Sequence, residues 1–256
     1  MRNWIFLAVL LCGCMGWVHA QGNSKGALIL VSSEGDVRFL ARDGSQAPAV
    51  EAGMVVPSSQ TIETGRTGRV VGLLSNGTLL TLTENTRMKV ATFEQAPFVD
   101  DGRKLAELNG EPSVSKVVID LDMGSLVVKT KKLSKGSAFD INSPVGVAGI
   151  RGTEFQMASR PGQGVQLDVT ESTVAFTPPG GQTMPVTQGN GLSVSPSGVA
   201  TPRSVNPVVA TKIESTNQAA TEATQDVSLG EVAIAVEKSA QESESGSEDS
   251  EGDTPA

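Results

Sequence analysis

Apolar and polar residues alternate with a period of two along most of this chain, the pattern of strands with one face buried and one face wet. Val117, Ile119, Leu121 and Met123 alternate with Val118, Asp120 and Asp122, and Gly124 is expected to close that strand. Val165, Leu167 and Val169 share a face, then Val174 and Phe176, then Leu192 and Val194. Ala27–Ser33 and Asp36–Arg42 flank Glu34-Gly35, while Arg69–Ser75 and Thr78–Thr83 flank Asn76-Gly77, the strongest hairpin signal present. Turn residues recur about every 8 to 12 positions, the spacing of an all-β sandwich, barrel or solenoid.

The stretch from Phe139 to Met157, FDINSPVGVAGIRGTEFQM, organises the rest. Phe139-Asp140-Ile141-Asn142 alternates as a half-buried strand, and Pro144 holds Ser143 extended and ends it. In the next run Val145, Val147 and Gly149 share one face, and Gly146, Ala148 and Ile150 the other. Both faces are small or apolar, which predicts cover on both sides. The tetrapeptide Arg151-Gly152-Thr153-Glu154 interrupts the alternation before Phe155 and Met157 resume it.

Elsewhere the pattern weakens. Residues 97–112 read as an insertion with room for one short helical turn. After Val199 the alternation fades and Pro, Thr, Ala and Asn rise, so 27–200 is expected to be the β domain and 201–256 a linker and acidic tail. From Glu214 to Ala256 there are eleven Asp and Glu against one Lys, and Gln241–Ala256 is expected to be disordered.

The first twenty residues read as an export signal: Arg2, an apolar run from Ile5 to Leu11, and Val18-His19-Ala20 before cleavage at Gln21. The alternative is a lipoprotein box with Cys14 as the acylated residue. No apolar run is long enough for a transmembrane span. Both cysteines, the single histidine and both tryptophans fall inside that segment, and the sequence holds no tyrosine. A chain starting at Gln21 therefore lacks His-based acid–base chemistry, thiol nucleophiles and the usual zinc ligands, and no enzyme activity, cofactor or metal is expected. Nucleic acid is not an expected partner, because the part before the tail is close to neutral and offers no Trp or Tyr for base stacking.

Four chemical candidates remain. Ser113-Val114-Ser115-Lys116 has the Ser-x-x-Lys spacing, but it opens a strand where that motif belongs on a helix. Asp120 and Asp122 read as the wet face of a strand rather than a calcium loop. Lys129, Lys131, Lys132 and Lys135 read either as a solvated edge strand or as a docking patch for an acidic partner, the acidic tail or anionic lipid. Arg151 to Glu154 read as a structural turn in which Gly152 permits the bend, Thr153 bonds backbone, and Arg151 and Glu154 pair across it.

SPVGVAGIRGTEF resembles the signature of FecR-domain proteins, in which a Pro-bearing strand leads into an Arg-Gly-Thr-Glu-Phe run, here Arg151 to Phe155. TIETGRTGRVVGLLSNGTLLTLTENTRMKV, Thr61–Val90, resembles the first half of that domain, and LVVKTKKLSKGSAFDI, Leu126–Ile141, its middle. The resemblance spans residues 27 to 195 and implies a β-solenoid-like or stacked β-sheet domain. FecR-type sigma regulators receive a signal from an outer-membrane transporter in the periplasm and relay it through a membrane helix. Here an export signal stands where their cytoplasmic segment would be. The expectation is a non-enzymatic module, in the periplasm or at the cell surface, that binds an envelope protein in sensing or surface organisation. A β-solenoid that binds or modifies polysaccharide is the alternative, and the absence of Trp and Tyr platforms speaks against it.

Overall fold

The computed structural model describes residues 24–245. The proposed signal at 1–20, Cys14 and most of Gln241–Ala256 lie outside them. Its strands are β1 (Ser24–Lys25), β2 (Leu28–Glu34), β3 (Val37–Leu40), β4 (Val55–Val56), β5 (Thr61–Thr64) and β6 (Arg69–Leu74). Next come β7 (Leu79–Leu82), β8 (Arg87–Gln95), β9 (Ser115–Lys129), β10 (Ala138–Ser143), β11 (Gly146–Ile150) and β12 (Glu154–Arg160). The last are β13 (Gly164–Glu171), β14 (Thr173–Thr177), β15 (Met184–Thr187), β16 (Asn190–Val194) and β17 (Ala200–Ser204). Helices α1 (Pro207–Thr224) and α2 (Leu229–Ser245) follow.

The seventeen strands form one hydrogen-bonded sheet folded into two layers. The first layer runs β3-β5-β8-β9-β10-β11-β14-β15, with β1 alongside the far end of β8. The second runs β4-β2-β6-β7-β9-β12-β13-β16-β17. Every pairing is antiparallel except β9 with β10. The fold is thus all-β and takes the stacked-sheet form of the expectation.

Strand β9 belongs to both layers. Its first part, Ser115 to Met123, pairs with β8. Its last part, Gly124 to Lys129, pairs with β12, and Leu126 to Lys129 also pairs with β7. Gly124 therefore does not close the strand, as its sequence position suggested. It takes φ +94°, and a side chain there would lie 2.2 Å from the Thr86 Cα, so only glycine lets the strand turn from one layer into the other.

Inward-facing side chains of the two layers meet in one core. Phe39, Ile62, Met88, Ile119, Phe139 and Phe176 of the first pack in one cluster with Leu30, Leu80, Phe155, Met157 and Leu167 of the second. Each such fully buried side chain contributes about 1.5–3 kcal/mol. The run Val145–Ile150 is not covered on both sides, since Val147 stands 37% exposed on the outer face of the first layer. Strands β6 and β7 are covered on both faces: their outward Val71, Leu73 and Leu79 are buried in a second cluster with Leu105, Ala220, Leu229 and Val232.

That second cluster corrects the reading of 201–256 as linker and tail: β17, α1 and α2 order the chain up to Ser245. The buried face of α1 is Ile213, Thr216, Asn217, Ala220 and Thr224, a helical spacing filled mostly by small polar residues. A hydrophobic period of 3.6 is therefore absent although the helix is docked. Both helices are capped at their N-termini. Asn206 accepts from the Val208 amide at 2.9 Å with Pro207 at the first helical position. Ser228 and Glu231 form a reciprocal capping box for α2.

The segment at 97–112 holds one 3-10 turn, Leu105–Glu107, as anticipated. It interlocks with the α1–α2 connection: the Leu105 amide donates to the Val227 carbonyl at 2.8 Å, and the Leu229 amide to the Arg103 carbonyl at 3.0 Å.

A cleft at the Arg-Gly-Thr-Glu turn

The turn between β11 and β12 lies against the chain segment that follows β9. The Thr130 amide donates to the Thr153 carbonyl at 3.0 Å, and the Leu133 amide to the Arg151 carbonyl at 3.4 Å. Gly152 takes φ +122°, and a Cβ there would lie 2.9 Å from the Lys132 Cα. Glycine is required both by its backbone conformation and by this close approach. Phe155 is buried in the central core, and Thr153 is buried with no hydrogen-bond partner for its Oγ1.

Arg151 and Glu154 do not pair across the turn. Each finds another partner. An Arg151 guanidinium nitrogen donates to the Ser137 carbonyl at 2.6 Å. Glu154 forms an ion pair with Lys129 at 3.0 Å and accepts from Asn217 Nδ2 of α1 at 3.0 Å. Burial pushes the nearby Asp140 carboxyl up from its ordinary value, and the Arg151 charge opposes that shift in part.

The lysines do not lie on an edge strand either. Lys129 ends β9 between two neighbours, opposite Leu79 of β7 and Glu154 of β12. Lys131 runs over Gly77 and donates to the Leu108 carbonyl at 2.7 Å, and burial, then the charge of Lys129, pulls its pKa down. Lys132 is exposed and bridges to Gly110 through backbone. Lys135 is exposed and stands apart from the other three.

Lys129, Lys131, Lys132, Arg151, Gly152 and Glu154 line one cleft of about 650 Å³. Its other walls were not foreseen: Leu105 and Asn109 from the 97–112 segment, Thr221 and Thr224 from α1, and the turn Glu171-Ser172. Ser172 adopts φ 62°, a conformation uncommon for a non-glycine residue. No local signal marks these residues, because they come together only through the docking of α1.

Beside the cleft, buried Glu111 accepts from Ser115 Oγ and the Ser134 amide, both at 2.6 Å, and from Ser137 Oγ. Asn76 in turn donates to Ser115 Oγ at 3.1 Å. Ser115, the second serine of the Ser-x-x-Lys spacing, is thus a structural donor inside this network. Asp122 pairs with Arg87 at 3.5 Å on the outer face of the first layer, as a wet strand face allows. Among the described residues no group of three or more His, Cys, Asp or Glu is placed to hold a metal ion. None of their helices is long and apolar enough to cross a membrane.

Residues 60–175 match the family model described as FecR protein, a narrower span than 27–195 that still contains the turn and all four lysines. Two crystal structures of a proposed anti-sigma factor from Parabacteroides distasonis ATCC 8503 are similar at 15% identity and a TM-score of 0.46. Each alignment covers 62% of this chain and 64% of that one, less than two thirds of its length. No curated protein gives a significant match.

Proposed function

This chain is a FecR-domain protein, and on that footing we propose that it is a non-enzymatic module of the cell envelope, exported to the periplasm or cell surface, which binds a protein partner in sensing or surface organisation. The observation that carries the reading is the convergence of two separate sequence features, the Arg-Gly-Thr-Glu turn and Lys129 to Lys132, on one cleft. The turn itself serves to build that cleft. Gly152 and the Arg151–Ser137 hydrogen bond hold its wall in place, and Arg151→Ala should therefore lower the melting temperature.

A pull-down from envelope extract, run beside a glycan array, tests the module reading. Retention of a defined protein supports it. Glycan binding without a protein partner overturns it in favour of a polysaccharide-binding surface.

A further inference from the structure

The approach of Gly152 to the Lys132 backbone has an electrostatic result. It sets Lys132 beside Arg151, two cations from different parts of the chain, on the same cleft wall. Neither has a carboxylate within ion-pair distance among the described residues, whereas Lys129 is neutralised by Glu154. Asp140 feels the Arg151 charge, but its own ionisation is opposed by burial. Lys131, also without a carboxylate, adds a third positive charge. Like charges gathered on one cleft wall repel, and an anion entering the cleft relieves that repulsion.

Resting on the module reading above, we propose that this cleft takes an acidic peptide segment of the protein partner. Compact polyanions such as phosphate esters fit less well, because Glu154 and Glu171 stand on the cleft lining and would repel a concentrated negative charge. A peptide spaces its carboxylates a few ångströms apart, so successive ones can meet Lys132 and Arg151 without concentrating charge against Glu154 and Glu171. The unpartnered Thr130 hydroxyl, on a residue 8% exposed at the cleft, offers a further donor. A volume of about 650 Å³ holds the side chains of a few residues.

The test uses two fluorescein-labelled synthetic peptides, one with Glu at every third position among Ser and Leu, the other with Lys for Glu. The acidic peptide should bind with an affinity that falls as salt is raised, and the basic one should not bind. Lys132→Glu should weaken the acidic peptide by roughly tenfold or more without changing the melting temperature, and Lys135→Glu, outside the cleft, by less than about twofold. Equal binding of both peptides, or unchanged affinity in Lys132→Glu, overturns the assignment. Tighter binding by a chain ending at Ser245 would instead identify the chain's own acidic terminus as the occupant, and overturns it too. An envelope protein retained equally by the parent chain and by Lys132→Glu overturns the cleft assignment alone. Peptide binding with no envelope protein retained overturns the module reading alone.

Discussion

Asn217 donates from Nδ2 to the Glu154 carboxylate at 3.0 Å, joining α1 to the first residue of β12 across 63 positions of sequence. Asn217 is buried and the Glu154 side chain is 15% exposed. Asn217→Ala leaves Glu154 with Lys129 as its one charged partner and should cost about 1.5–3 kcal/mol, the range for a hydrogen bond to a charged group. Chemical denaturation gives the number, and an unchanged midpoint would show that α1 is held by other contacts.

Gly152→Val should damage folding more than any other single change in the turn. The φ of +122° strains a β-branched residue, at a cost of about 1–3 kcal/mol before any overlap with Lys132 is counted. The neighbour is backbone and cannot swing away. The expected outcome is a clear fall in melting temperature, or loss of soluble protein.

Asp140 sets a pH dependence of a particular sign. Its folded-state pKa lies above the ordinary value, chiefly through burial. The folded state therefore holds the proton more tightly, and stability from this group falls as pH rises from the unfolded pKa through the raised folded value. At neutral pH the carboxylate is a net cost. Asp140→Asn should raise the denaturation midpoint at neutral pH, with the gain vanishing in acid where the parent carboxyl is protonated in both states. A gain that persists unchanged into acid would point to packing instead.

Leu229, 2% exposed at the start of α2, anchors the C-terminal helices against the outer face of β6 and β7. Leu229→Ala should cost about 2–5 kcal/mol, the range for a truncated core leucine. A chain ending before Pro207 should bind a hydrophobic dye, because Val71, Leu73 and Leu79 lose their cover. A dye-negative truncated chain with an unchanged melting temperature would return 207–245 to the status of an appendage.

The β layers were legible because alternation reports burial directly: Phe139 and Ile141, or Val165, Leu167 and Val169, point inward as their spacing required. The Asn76-Gly77 hairpin appeared where expected, although only Gly77 takes a positive φ while the Asn76 amide is used inside the Ser115 network. Gly124 misled because a glycine at positive φ serves equally to end a strand or to redirect it, and only its neighbours decide. The helices were missed for a different reason. Thr216, Asn217 and Thr224 are buried through shape and hydrogen bonding rather than through hydrophobicity, and composition reads them as solvent-facing. The cleft followed from that miss, since one of its walls is α1.

Because β9 is hydrogen-bonded in both layers, the two sheets share a stretch of covalent backbone as well as a packed interior. Ordinary stacked sheets can shear by sliding one face over the other. Here such sliding would have to break ladders on both sides of Gly124 at once. A tug applied at the cleft, through β12 and the end of β9, is handed along the same strand to β8 and β10 in the opposite layer. The sandwich is therefore expected to resist shear as a single block, and a load applied at the cleft would be shared by the whole domain.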